Sequence, residues 1–470
     1  MEKTAKLTLE KNVVKCLLST FDKRKLSLLA RKVGFVQRKS KLKPLDFLMT
    51  LLFAKEGKKA TSLLDLANEL GYKFNTFISP QSLHERFNQS AVNFLQSLIG
   101  MALESKLEGF YKGRFLNQFT AVKIQDSTSF QLPKSLSNYY SGCGGASTGA
   151  MARVQFEYDL RSGQISTLDL TPGQLQDATY ASKGLDKVAP GNLLIRDLGF
   201  WNLKFMEGVM DKGGYVVSRL KPLMLVSAKN KGGEWNQLDF CEVLRKMEKH
   251  GLNVLEHTVQ LSKKASGPWR LVAYRVDEKT YQERIRKAQK EAKKRGGMVS
   301  KEYKARARLN LFVTNLNEKM MPKEKLYSLY QLRWQIELIF KTWKSQWGLA
   351  QIKPMKKERV ECYIYARLLF IVLSWRVFQA INKSLSWSSD EQILSYQKFG
   401  SLFLLITSEL SSALKKGKKG MEKLVKTFLN ITLKRQQFVE QKKNKHSSMS
   451  IFKTLNDVDE NIKSFLKMTA

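Results

Sequence analysis

The spacing of apolar residues changes twice along this chain. Up to about residue 115 it follows a helical period, as in Leu26, Leu28, Leu29 and Val33, and again in Leu63, Leu64, Leu66, Ala67 and Leu70. From about 116 to 222 it becomes strand-like. Phe119 to Asp126 reads as a strand ending in an acid, and Val154 to Tyr158 with Gln164 to Leu170 reads as an antiparallel hairpin turning at Ser162 and Gly163. A short helix over Asp177 to Leu185 precedes a second, mostly apolar strand, Asn192 to Asp197, again ending in an acid. Phe200 to Met210 is helical, and Gly214 to Leu220 is another strand. A meander followed by alternating helix and strand predicts an α/β fold, a mixed sheet with helices on its faces.

Residues 223–308 interrupt this pattern with strand signals such as Leu271 to Val276 and a basic helical run. Leu311 to Thr314 resumes it, a long helix is expected from about Lys323 to Trp347, and the chain beyond about 355 reads as helical. The expected division is a helical, DNA-binding region at 1–115, a core made of 116–222 and 309–350, a β-rich, basic insertion at 223–308, and a helical, basic C-terminal region at 351–470.

Two N-terminal stretches echo each other: Leu29 to Phe35 and Leu66 to Tyr72, each with Ala four residues before Gly. A small residue lets helices approach, and the glycine is expected to end the helix in a left-handed turn. Ser79 and Pro80 then open a helix as N-cap and first residue. That helix is expected to carry Gln81, His84, Arg86 and Gln89, which suit DNA contacts in a loose helix-turn-helix. Two plain helical hairpins fit the same pattern.

Composition narrows the partners. Apolar residues are 43% and charged residues 26%, which is globular, but Lys plus Arg is 81 against 42 for Asp plus Glu, a net of +39. That excess repels itself unless a polyanion neutralises it, and nucleic acid is the direct answer. Ribosomes or anionic membranes are the alternatives on charge alone. The excess is concentrated in Lys279 to Arg308, with 12 Lys or Arg against 3 Glu, and Lys415 to Lys445, with 11 against 2. Either run can also be simply a solvated helix face. Cys16, Cys143, Cys241 and Cys362 have no short spacing, nor do the four histidines, so neither disulfides nor a thiolate zinc site is expected. Reduced thiols, a polar N-terminus without a signal peptide and no membrane span point to the cytosol. The most apolar window, Ile364 to Phe378, contains Arg367 and Arg376 and reads as a buried helix too short to span a bilayer. The glycine-rich loop at Ser141 to Ser147 lacks the lysine of a phosphate-cradling loop.

The chemistry sits around Glu337. Tyr330, Arg333, Glu337, Lys341 and Lys344 stand at offsets 0, 3, 7, 11 and 14. On one regular helix these fall within roughly 80°, while Leu332, Ile336, Ile339, Phe340 and Trp343 fall on another side. Salt bridges on an exposed face explain the charges but not Tyr330 or Arg333. Asp126 and Asp197 each close a predicted strand. Adjacent parallel strands ending in carboxylates would aim them at one place, and a third carboxylate from a packed helix would complete an oxygen-rich site for two Mg2+ ions. Mn2+ accepts the same ligands.

On these residues the chain resembles the fourth family of bacterial insertion-sequence transposases. Tyr330-x2-Arg333-x3-Glu337-x6-Lys344 matches that family's signature, and Ile124 to Thr128 and Arg196 to Phe200 resemble its first two acidic motifs. The resemblance covers about 116–350, with 71 residues from Asp126 to Asp197 and 140 from Asp197 to Glu337, the interval in which that family carries a β-rich insertion. It implies an RNase H-like core and a catalytic, metal-binding triad of Asp126, Asp197 and Glu337. Tyr330, Arg333 and Lys344, helped by Lys341, would hold the terminal phosphate. It further implies cut-and-paste transposition: hydrolysis at the inverted-repeat ends, a hairpin step, 3′-OH attack on target DNA, and a homodimer whose subunits each cut the end the other binds. The setting would be the bacterial cytoplasm and nucleoid.

One feature departs from that family, whose members stack a flipped base on a tryptophan shortly before the glutamate helix. Leu309 to Asn315 has none, and Trp235 and Trp269, the insertion's two, read as core. Two alternatives stay open at this level: a nuclease of the same core without strand transfer, and a DNA-binding protein that has lost catalysis.

Overall fold

The structure is a computed structural model. It describes residues 3–38, 40–52, 62–104, 115–143, 149–222, 224–230, 232–262, 268–385 and 394–434. The second half of the glycine-rich loop and the basic run beyond residue 434 lie outside them.

The N-terminal region is helical as its periodicity requires: α1 (Lys3–Thr20), α2 (Lys23–Lys32), α3 (Pro44–Leu52), α4 (Leu63–Phe74), α5 (Pro80–Arg86) and α6 (Gln89–Glu104). Gly34, at φ +76°, makes the left-handed turn just after α2. Its counterpart does not. Gly71 lies inside α4, which continues to Phe74 and ends at Asn75 with φ 53°. Asn also tolerates the left-handed region, so the helix runs one turn longer than the glycine suggested. Ser79 caps α5 as expected, accepting from the Ser82 N–H with Pro80 in the first turn. That helix stops at Arg86, whose guanidinium bonds Ser40 Oγ at 2.9 Å. Gln89 therefore belongs to the next helix and bonds Asn93.

The alternating stretches form β1 (Ala121–Gln131), β2 (Met151–Asp159) and β3 (Ile165–Pro172), then α7 (Asp177–Ser182), β4 (Asn192–Arg196), α8 (Leu203–Asp211) and β5 (Tyr215–Arg219). The insertion supplies β6 (Ser227–Lys229), β7 (Trp235–Gln237), α9 (Phe240–Lys249), β8 (Val254–Gln260), β9 (Trp269–Arg275), α10 (Glu278–Lys294) and α11 (Lys301–Ala307). After it come β10 (Leu309–Thr314), α12 (Lys323–Gln331), α13 (Gln335–Ser345), α14 (Lys357–Leu385), α15 (Tyr396–Leu405), α16 (Thr407–Lys415) and α17 (Gly417–Thr432).

The described chain packs as two compact units. One contains Met1–Lys112, Ser127–Leu175 and Gln335–Asn444; the other contains Gly113–Asp126 and Gln176–Trp334. In the second unit the strand order is β1-β4-β5-β10-β9-β8-β6-β7. There β1, β4 and β5 are parallel, and β10, β9, β8, β6 and β7 continue the sheet antiparallel. The insertion thus lengthens an existing sheet, and its helices α9 and α11 share an apolar core with α8 through Phe205, Val209, Phe240, Met247 and Ala305.

In the first unit the distal half of β1 borders the β2–β3 hairpin. The antiparallel pair β3 and β2 bordering β1 and the parallel strands β1, β4 and β5 give the mixed α/β sheet that the sequence predicts. The helices of the first unit pack around α14. Residues Lys357–Asn382 of that helix are by length and composition apolar enough to cross a membrane, a longer stretch than the window Ile364 to Phe378 read from the sequence. Its most apolar part is 78% buried inside the protein, and the helix serves as the buried core element expected. Trp375 on it donates to Gly163 O at 2.7 Å and meets Tyr158 edge-on. Among the described residues, all four cysteines are free.

Candidate active site

The site begins with strand register. In the parallel pair β1–β4, Gln125 stands opposite Arg196, so Asp126 and Asp197 are the next residues on neighbouring strands. The expectation that β1 stops at Asp126 is corrected: the strand continues through Asp126 to Gln131, because Ser127 to Gln131 belong to the ladder shared with the hairpin. Asp197 does end its strand and caps the following 3-10 turn, its carboxylate facing the Gly199 N–H.

The helix carrying the signature is also corrected. It is not one regular helix from Lys323 to Trp347. Between α12 and α13 the chain tightens into a 3-10 turn over Leu332–Trp334. A 3-10 turn advances about 120° per residue instead of about 100°, so the regular helical spacing assumed from the sequence does not hold through Leu332–Trp334. Arg333 lies in this turn, 8% exposed, and turns inward. Its Nη1 donates to Asp126 Oδ2 at 2.7 Å, and its Nε is 3.6 Å from Asp197 Oδ1. One guanidinium thus bridges the two carboxylates. Tyr330, one turn earlier and 2% exposed, packs on Phe312 and places its hydroxyl 3.4 Å from Asp197 Oδ1. Burial, opposed by the Arg333 charge and reinforced by Asp197, pushes its phenol up to about 12. It therefore stays protonated at neutral pH and donates.

The second unit thus brings Asp126, Asp197, Tyr330 and Arg333 together. Glu337, Lys341 and Lys344 belong to the first unit, on α13. Trp343, fully buried, anchors that helix, with its ring 4.9 Å from Phe156 and its Nε1 donating to Tyr396 at 3.2 Å. Glu337 and Lys341 lie on the exposed side, and Lys344 is half-buried, with its ammonium pKa lowered by desolvation. Among the described residues, no group of three or more His, Cys, Asp or Glu side chains is gathered closely enough to hold a metal. The carboxylate pair nevertheless fits a hard divalent cation: two oxygen donors in register, already accommodating a positive group.

Two further residues escaped the sequence reading. Ile195 pairs with Val217 across β4–β5, so Arg219 closes β5 level with Asp197, and its charge acts on Tyr330. A cation at the end of the third parallel strand was the signal that could have found it. Trp334, beside Arg333, is 36% exposed, whereas Trp269 is buried core as expected and Trp235 is partly exposed on β7.

The family described as Transposase DDE domain matches residues 117–373, which include the three acids and the whole insertion. The transposase of insertion sequence element IS231B from Bacillus thuringiensis subsp. berliner is 32% identical over 389 residues, 80% of this chain and 81% of that one. The transposase of IS1151 from Clostridium perfringens is 26% identical over 460 residues, 95% of this chain and 96% of that one. A solved structure, the piggyBac transposase synaptic complex with hairpin DNA, aligns at a TM-score of 0.44 and 10% identity over 93% of this chain and 88% of that one, a likeness too slight to add to the case. The family match over more than half the chain, together with relatives aligned along most of their own length, places this protein among the DDE-domain transposases of bacterial insertion sequences.

Proposed function

We propose that this transposase cuts duplex DNA at the terminal inverted repeats of its element and joins the freed 3′-hydroxyls to target DNA, with Asp126, Asp197 and Glu337 holding two Mg2+ ions. The observation that carries the reading is the pair of carboxylates in register with a cation already between them. Mn2+ would be accepted by the same oxygens. When bound, such ions stabilise the attacking and leaving oxygens of an in-line displacement at phosphorus.

The chain's own residues do the rest. The strands β1 and β4 fix Asp126 and Asp197 before any ligand arrives. Tyr330, protonated, donates to a non-bridging phosphate oxygen. Arg333 keeps the carboxylates together in the absence of DNA, and an incoming terminal phosphate competes for its guanidinium. Lys344 regains its full basicity when an anion offsets its desolvation, and Lys341 and Arg219 add positive field. The partly exposed Trp334 offers a ring for base stacking, which keeps a hairpin step within reach. End recognition falls to α4 and α5, where Gln81 is exposed. The reaction takes place on the bacterial nucleoid in the cytoplasm, with a homodimer bridging the two ends.

The test is incubation of the protein with Mg2+ and a duplex carrying its gene's flanking ends, beside Glu337→Ala. Cleavage at the end, abolished by the substitution and by chelation, supports the reading. Selective binding without cleavage, or unselective cutting that survives Glu337→Ala, defeats it.

A further inference from the structure

The helices α10 and α11 and their connection form a basic arm on the second unit. Its root is firmly tied. Arg284 donates through Nη1 to the carbonyls of Ala307 and Leu309 at 3.0 and 3.2 Å, and through Nη2 to Asn310 at 2.6 Å. Ile285, Ala305 and Ala307 are buried beside it, and Arg306 stacks on Phe240 at 4.2 Å. The outer face is different. Lys279, Arg286, Lys290 and Lys293 stand at offsets 0, 7, 11 and 14, within roughly 60° of one another on a regular helix. All four are exposed. Of the arm's acids, Glu278 pairs with Arg308, Glu302 with Arg306 at 3.0 Å and Glu291 with Lys294 at 3.1 Å, while Glu283 is exposed between Lys279 and Arg286 and leaves the cationic character strongest from Arg286 to Lys294.

Lys290 is the centre of the stripe. Its neighbours at i−4, i−3, i+3 and i+4 are Arg286, Lys287, Lys293 and Lys294, every one a cation. Each like-charge pair at such spacing disfavours a helix by about 0.2–0.5 kcal/mol. A solvated face chosen for stability alone would alternate signs here. A polyanion laid along the face removes the repulsion. Arg286 to Lys293 spans about 10.5 Å of helix axis. That is about three phosphates of one strand of B-form DNA.

We infer that the outer face of this arm is a docking surface for the phosphate backbone of duplex DNA, separate from the acidic site. The inference rests on the transposase reading only for the identity of the polyanion. Because phosphates carry no base code, the contact is independent of sequence and acts on affinity and orientation.

The test is binding without chemistry. The protein is titrated in EDTA with a labelled 40-base-pair duplex of arbitrary sequence, and the logarithm of affinity is followed against the logarithm of NaCl concentration. The variant is Arg286→Gln, Lys290→Gln and Lys293→Gln together; the control is Lys419→Gln, Lys423→Gln and Lys426→Gln on α17, also exposed and also three charges. Three lost phosphate contacts lower the salt slope by about 2.7. Between 50 and 200 mM salt, the unmodified protein would then lose about 40-fold more affinity than the arm variant. A smaller effect of the control supports the inference. An unchanged slope in the arm variant, or an equal change in the control, overturns it. So does tighter binding of A-form duplex RNA than of DNA by the unmodified protein, with the same loss in the variant. Glu337→Ala separates the two proposals: cleavage lost in the Mg2+ assay on the flanking ends, with an unchanged slope in this titration, concerns the acids alone.

Discussion

Replacing Arg333 with methionine is the most informative single change. The substitution keeps much of the aliphatic volume and removes the cation between Asp126 and Asp197. The Nη1–Asp126 bond is 2.7 Å long between side chains 9% and 15% exposed. A charge-assisted hydrogen bond of this kind contributes about 1.5–3 kcal/mol. The contact to Asp197 is 3.6 Å long and Asp197 is 39% exposed, so solvent screening leaves it only about 0.5 kcal/mol. The expected loss is therefore about 2–3.5 kcal/mol, measured by urea unfolding in EDTA. The second half of the prediction concerns divalent ions. If the guanidinium occupies the carboxylates that a cation would use, removing it strengthens Mn2+ binding. A tenfold gain corresponds to about 1.4 kcal/mol of additional stabilisation at saturating metal. Unfolding with and without MnCl2, with calorimetric titration alongside, reads this directly and needs no DNA. A loss below about 1 kcal/mol, or metal-induced stabilisation no larger than in the unmodified protein, would refute the bridging role of Arg333.

Trp343→Ala empties a fully buried site between Phe156 and Phe340 and removes the indole donor to the Tyr396 hydroxyl; denaturant unfolding should register a loss of about 3–5 kcal/mol. Gly163→Ala places a Cβ 2.7 Å from the buried Gln379 at a residue with φ +71°, so it should cost at least about 1–2 kcal/mol by the same measurement. Glu361, which accepts from Tyr140 at 2.8 Å, has its carboxyl pKa raised by burial. A raised folded pKa means that its contribution is fully present below the ordinary glutamate range and is lost as pH rises through the folded value. Stability profiles should accordingly show Glu361→Gln gaining on the unmodified protein as pH increases across that window, and a constant difference would contradict the assignment.

Much of this protein is legible in its amino-acid order. Apolar periodicity located the helices and strands between residues 116 and 222 and the helical character of both ends, because burial of one face imposes a period on any sequence that folds; it did not single out β6, β7, α9 or β8 within the insertion. The acids Asp126, Asp197 and Glu337 were visible as candidates because carboxylates at strand ends and on a polar helix stripe serve no packing purpose. What local pattern could not decide was which elements become neighbours. That β1 and β4 lie parallel with Asp126 and Asp197 in step depends on pairing across an intervening hairpin and helix, and the pairing also carries β1 past the acid where local signals ended it. Likewise, the stripe at offsets 0 to 14 assumed one uninterrupted helix. A 3-10 turn at Leu332–Trp334 breaks that assumption and turns Arg333 inward onto the acids, an arrangement that the long-range contact fixes and helical period cannot reveal. The basic run at 279–308 was ambiguous as sequence for the same reason. Only tertiary structure, by tying the half-buried Arg284 to the carbonyls of Ala307 and Leu309, burying Ile285 and leaving Lys290 among cations at the surface, decided which of its charges hold the arm in place and which face solvent.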